Sequence, residues 1–287
     1  MSPTSNAPIL VGVDGSEVAL AAVRWAATDA ARRRAPLHLV YLTGVLGDYG
    51  SGIELGRSDA GSFRWGGLDA IEIASATAVA EAAPLSDIDI TAELTDAPPV
   101  PVLRRRSGNA RLLVVGAHQV GAFGRALLGA LSTALARRAS CPVAVVPDAI
   151  EYGAGPVVVG VDGSPSSVSA VEVAFDEAAI RGADLVAVHT FSDSQGHGSA
   201  VEMRQTGEEL LDRMLARYGN AYPELTVRRV VVEDRPARRL LEVGDKAQLI
   251  LVGSCAHDDC ATTPLGSVTR AVLHEAQVPV IVTRSAS

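Results

Sequence analysis

One stretch of this chain is written twice. "PILVGVDGSEVALAA" begins at Pro8 and "PVVVGVDGSPSSVSA" begins at Pro156, so Val11 is matched by Val159, 148 residues further on. Each copy is an apolar run, then VGVDGS, then a helix-like pattern. A second register follows. "ARLLVVGAH" (110–118) matches "AQLILVGSC" (247–255), and "SCPVAVVP" (140–147) matches "QVPVIVTR" (277–284), now 137 residues apart. A period of this length marks a duplicated domain and not a solenoid repeat. The 287 residues have room for two such domains, since domains commonly run ~100–200 residues. The turn-rich "DAIEYGAG" (148–155) divides the chain into 1–150 and 151–287. The fall in spacing leaves eleven extra residues in the middle of the first copy. They are assigned to "TGVLGDYGSGIELGRSDAGSFRWGGL" (43–68), whose Gly and polar content reads as a long surface loop.

Within each copy the order is strand, helix, strand, long connection, helix, strand, short helical segment, strand, helix, strand. The runs "ILVGV", "LHLVYL", "IDITAEL", "RLLVVG" and "VAVV" are nearly continuous in apolar residues. Strands buried on both faces of a parallel sheet look like this. Ser16 and Ser164 stand at N-cap positions, and Pro165 follows at the first helical position, where a missing N–H costs nothing. Leu20, Val23 and Ala27, matched by Val168, Val171 and Phe175, lie on one helical face expected to meet the sheet. The fold class is α/β: two tandem doubly wound domains, each a five-stranded parallel sheet flanked by helices.

Ligands of such sheets bind beyond the carboxyl ends of the strands, where strand order reverses. Gly12, Val13 and Asp14, with Gly160, Val161 and Asp162, end the first strand of each copy. The aspartate has two readings at this stage, a brace for the turn or an acceptor for a base or ribose. Leu42 and Thr190 end the second strand. After the fourth strand come "VGAHQVGAFGRALLGALST" (115–133) and "VGSCAHDDCATTPLGSVTR" (252–270). Glycine after a strand, a variable loop, then glycine and small hydroxyl residues opening a helix is the layout of a phosphate cradle, or of a plain strand-to-helix loop.

Other chemistries are excluded more firmly. The single lysine, Lys246, lies in no Gly-Lys phosphate loop, no GxGxxG follows the first strand, and there is no GxSxG elbow. "HEAQV" (274–278) lacks the second histidine of a zincin, and no metal site is assigned. A net charge of −8 argues against a nucleic-acid partner, which needs a basic face. The arginine triplets at 32–34 and 104–106 read as solvated last turns of helices. No apolar stretch reaches the ~18 residues of a membrane span. The N-terminus shows no signal-peptide pattern, and three cysteines form no disulfide framework. The expected location is the cytoplasm. Cys255 and Cys260 read as incidental loop cysteines, and Cys141 as a small core residue.

VGVDGS, the "VVG" with its Gly-rich loop, and the closing "CPVAVVP" or "VPVIVTR" resemble the universal stress protein family in its tandem form, over nearly the whole chain. The resemblance implies ATP, with adenine near the ends of the first two strands and phosphates on the loop and the helix after it. Family members that bind ATP carry G-x2-G-x9-G-[ST] there. In the first copy this pattern falls on Gly116, Gln119 in place of glycine, Gly129, and Ala130 in place of the hydroxyl, with Ser132 after it. Ala117, His118, Val120, Gly121 and Arg125 complete that set. In the second copy it falls on Gly253, Ala256 in place of glycine, Gly266 and Ser267, with Ser254, Val268 and Thr269.

The resemblance further implies an ATP-binding stress or signalling regulator with little or no hydrolysis. A magnesium ion is left open as a companion of ATP, and no protein partner is named. A homodimer or an internal pseudo-dimer about a twofold axis is expected. The first copy is expected to be the stronger site, with Arg125 near the phosphates. The "HDDC" of the second would repel a triphosphate by about 1 kcal/mol per carboxylate unless a cation, held by His257, Asp258 or Asp259, intervened. Two alternatives stay open: an interaction module of the same fold without nucleotide, and a weak adenine-nucleotide hydrolase using the Asp258/Asp259 loop.

Overall fold

The computed structural model describes residues 6–42, 60–117, 130–148, 154–192, 199–255 and 265–285, with only the backbone described at 60–66 and 130. The chain divides into two compact units, 1–149 and 150–287. The first runs β1 (Ile9–Val13), α1 (Glu17–Arg33), β2 (Leu37–Leu42), α2 (Ala60–Ala82), β3 (Ile90–Thr95), α3 (Pro99–Ser107), β4 (Leu112–Gly116), α4 (Ala130–Arg138) and β5 (Val143–Val146). Its strands lie in the order β3-β2-β1-β4-β5, with every pair parallel.

The second unit repeats the plan. It runs β6 (Val157–Gly160), α5 (Pro165–Arg181), β7 (Leu185–Phe191), α6 (Ala200–Gly219), β8 (Val227–Glu233), α7 (Pro236–Gly244), β9 (Leu249–Gly253), α8 (Ser267–Glu275) and β10 (Val280–Thr283). The order is β8-β7-β6-β9-β10, again all parallel. In each unit the chain moves outward from the first strand and then jumps back to that strand's other side. The switch points therefore lie between β1 and β4, and between β6 and β9.

Strands β1, β5 and β10 are buried throughout, as their apolar runs indicate. Burying a Val or Leu side chain stabilises by roughly 1.5–3 kcal/mol. Ser16 accepts from the Ala19 N–H and Ser164 from the Ser167 N–H, which fixes where α1 and α5 begin. The C-caps are left-handed, at Arg34 and Gly182. Val23, Ala27, Val171 and Phe175 are buried as the pattern indicates, while Leu20 and Val168 sit half-exposed at the rim of that face.

Two sequence expectations change. Residues 60–68, assigned to a loop, are the first turns of α2; residues 43–59 lie outside the described residues. The glycines that suggested a loop include Gly67, which serves packing. A Cβ there would come within 2.9 Å of Leu94 and 3.0 Å of Tyr41. The arginine triplets do end α1 and α3, but each contains an arginine held in an ion pair. Arg33 Nε pairs with the buried Asp29 at 2.8 Å, and Arg106 pairs with Glu93. Among the described residues no helix is long and apolar enough to cross a membrane.

Candidate functional site

The VGVDGS turn is built the same way twice. Gly15 and Gly163 adopt positive φ, 85° and 84°, which an L side chain resists. In the first unit Asp14 Oδ1 accepts from the Ser16 N–H at 3.0 Å and from its hydroxyl at 2.6 Å. In the second, Asp162 Oδ1 accepts from the Ser164 N–H at 2.9 Å. The aspartate therefore braces the turn with one oxygen. Both side chains are exposed, so the other carboxylate oxygen is available to a ligand, and the two readings of this residue are compatible.

In the second unit the switch point opens into a cavity of about 410 Å³. It is lined by Gly160, Val161, Asp162 and Thr190 at the ends of β6 and β7, by Gly253 at the end of β9, and by Gly266, Ser267, Val268 and Thr269 at the start of α8. These positions, which the sequence marked from separate stretches, line one space. Ser254 does not line it: the residue is buried behind, with its hydroxyl unpartnered among the described residues.

The helix side and the strand side differ in chemistry. Gly266 caps α8 without a side-chain hydrogen bond, and the Arg270 N–H donates to the Gly266 carbonyl at 2.9 Å as the helix begins. The N–H groups of the first turn thus face the cavity without intrahelical partners, a favourable place for an anion. The strand side offers the Asp162 carboxylate and the Thr190 hydroxyl. Between them the walls are apolar.

Several lining residues were not singled out from sequence: Ser167, Val188, Pro236, Leu240, Val252 and Cys255. A signal for two of them existed. Pro236 and Leu240 repeat Pro99 and Leu103 at the second register, and both leucines do the same work. A Cβ on Gly12 would lie 3.1 Å from Leu103, and one on Gly160 would lie 3.1 Å from Leu240. Cys255 corrects another expectation, because it is disulfide-bonded and not a free loop cysteine. Cys260 lies outside the described residues.

The first unit shows the strand side of the equivalent site. Gly12, Val13 and Leu42 are buried, Asp14 is exposed, and Ser132 is buried on α4. Gly116 ends β4, and the N–H of Ala117 just after it donates to the Val146 carbonyl at 2.7 Å. The Tyr41 hydroxyl donates to the Asp14 carbonyl at 3.3 Å. Burial and the nearby Asp14 push that phenol above its ordinary value, so it stays a donor. In the second unit His189 takes this place, with Nδ1 2.8 Å from the Val161 carbonyl. His118, Gln119, Val120, Gly121, Arg125 and Gly129, and in the second unit Ala256, His257, Asp258 and Asp259, lie outside the described residues. The Ala130 backbone begins α4.

The model of the universal stress protein family matches this chain twice, at residues 6–147 and 154–284. The chain belongs to the universal stress protein family. It is 40% identical over 300 residues to universal stress protein Rv2005c of Mycobacterium tuberculosis, covering 98% of each chain. It is 37% identical over 298 residues to universal stress protein Rv2623 of the same organism, covering 99% of this chain and 98% of that one. Among solved structures, a universal stress protein from Archaeoglobus fulgidus superposes with a TM-score of 0.73, covering 98% of this chain and 97% of that one. At 18% identity that likeness speaks for the fold alone. The family match covers both copies, so this is a universal stress protein with two family domains in tandem.

Proposed function

We propose that the second unit's cavity binds an adenine nucleotide, ATP, and that the protein is a nucleotide-responsive regulator with little or no hydrolysis. One observation carries this reading: a single cavity joins an exposed aspartate at the strand ends to the open N-terminus of α8. Asp162 and Thr190 would meet the base and ribose, Val161 and Leu240 would flank the ring, and the phosphates would lie on the first turn of α8. The cavity volume is in the range of small-molecule sites, about 300–1,000 Å³.

Hydrolysis would need a base near the terminal phosphate. Among the described lining residues the phosphate end offers Gly266, Ser267, Val268 and Thr269, none of which is a ready base at neutral pH. Among the described residues, a magnesium ion travelling with ATP would find the Ser267 and Thr269 hydroxyls at that end. The first unit would provide a second site through Asp14, Leu42 and Ser132. The reading includes a cytoplasmic protein that is a homodimer or an internal pseudo-dimer. The test is to denature freshly purified protein and quantify released nucleotide by chromatography. About one or two adenine nucleotides per chain support the reading; none, with no uptake from millimolar ATP, removes it.

A further inference from the structure

The end of β9 is held by hydroxyl groups, two of which, on Ser166 and Thr283, have valine in their place in the first unit. Three successive carbonyls are each engaged. Gly253 accepts from the Thr269 hydroxyl at 2.6 Å, Ser254 accepts from the Gly266 N–H at 2.9 Å, and Cys255 accepts from the Ser166 hydroxyl. Behind them, the Thr283 hydroxyl donates to the Ser166 carbonyl at 2.9 Å, and the Ser254 N–H donates to the Thr283 carbonyl at 2.8 Å. Ser166 and Thr283 are each only 1% exposed. The belt ties the first turn of α5 to β10 and to the segment leaving β9.

The duplication supplies the control. Through the matched registers, Ser166 corresponds to Val18, Thr283 to Val146 and Cys255 to His118. Thr269 corresponds to Ser132, which keeps a hydroxyl. The backbone bond from Ala117 to Val146 repeats the one from Ser254 to Thr283, so the fold does not require the side-chain hydroxyls. Steric needs are likewise met by valine. A Cβ on Gly116 would lie 2.6 Å from Val18, as one on Gly253 would lie 2.4 Å from the Ser166 hydroxyl. The hydroxyls are an addition of the second unit.

We infer that Ser166, backed by Thr283, is a positioning residue of the second unit's cavity, holding the Cys255 carbonyl toward α5 and fixing the backbone between β9 and the cavity. This rests on the reading that the cavity receives a nucleotide. A carbonyl held in that way presents no negative dipole to an incoming phosphate, and the neighbouring backbone is ordered before the ligand arrives, so less ordering opposes binding. In the first unit the positions matching Ser166 and Thr283 are Val18 and Val146, which have no hydroxyl to donate, so the two sites differ in preorganisation as well as in loop sequence.

The test compares Ser166→Thr with Ser166→Val, which have nearly the same shape and differ by the hydroxyl. Two readouts are taken on the full chain: ATP affinity by calorimetry, and hydrogen exchange of the Ser254 and Gly266 amides without ligand. The valine variant should bind ATP about tenfold more weakly than the threonine variant, the size of one buried hydrogen bond, and its two amides should exchange faster. Equal affinity and equal exchange in the pair overturn the inference. If the natural protein binds no ATP, the functional reading fails, and the exchange comparison alone decides whether the belt positions this backbone. Should the extra methyl prevent folding in both variants, Thr283→Val, an isosteric swap, should accelerate the same amides and weaken ATP; unchanged exchange there is the refuting result.

Discussion

Replacing Gly253 with alanine should destabilise the second unit for a reason separate from ligand binding. Glycine at this point first suggests room for a phosphate, yet the structure places the first turn of α5 directly against it. The added Cβ would lie 2.4 Å from the Ser166 hydroxyl oxygen, 2.9 Å from the Ser166 carbonyl carbon and 2.9 Å from the Ser167 nitrogen. The hydroxyl could rotate away, at the expense of its bond to Cys255, but two of the three contacts are backbone and can be relieved only by moving α5. Overpacking of this kind costs about 1–3 kcal/mol. For a unit of this size each kcal/mol lowers the melting temperature by roughly 2–4 °C, so Gly253→Ala should fall by roughly 2–12 °C. Urea unfolding without nucleotide measures it, with Gly219→Ala as control, because a Cβ at Gly219 meets nothing within 4 Å. A Gly253→Ala variant as stable as that control would show that α5 does not enforce this glycine.

Two further outcomes follow from burial and charge. His38 contacts Thr91 at 2.7 Å and Arg106 at 3.1 Å, and Glu93 pairs with Arg106, where the second unit has Val186, Val230 and Val243. Burial lowers the His38 pKa below 6.5, with Glu93 opposing and Arg106 adding to the shift. The unfolded chain therefore takes up this proton first: the contribution is full above 6.5 and is lost as pH falls through the lower, folded value. The urea midpoint should thus drop more between about pH 7.5 and about pH 5.5 in the natural protein than in His38→Val, and equal drops would contradict this. Burial also pushes the free Cys141 thiol up to about 12. Only about one part in a thousand of an ordinary cysteine's thiolate is then present, so iodoacetamide should leave Cys141 unmodified in the folded protein over hours; rapid labelling would refute the raised pKa.

Most of the fold was legible because duplication offered each segment two readings. Apolar runs such as "ILVGV" and "VAVV" are strands buried on both faces, and Ser16 and Ser164 announce their helices through the next turn's N–H groups. The start of α2 was hidden, because "AGSFRWGG" has the composition of a loop, and only the packing of Gly67 against Tyr41 and Leu94 explains its glycine. At the site, the residues at strand ends were visible from topology. Pro236 and Leu240 showed only through their match to Pro99 and Leu103, and Ser167 not at all, since a cavity wall is assembled from separate elements. The Ser166–Thr283 belt was equally silent in sequence: its members are 117 residues apart, and each alone looks like an ordinary small polar residue.

The most direct test of the central claim is amide hydrogen exchange with and without ATP, read at the turn after β6 and at the start of α8. The account requires added protection at Val161, at Ser267 and at Val268 together, because one nucleotide bridges both ends of the same cavity. ATP that leaves these amides unchanged, or protects them at neither end while binding elsewhere, would contradict it.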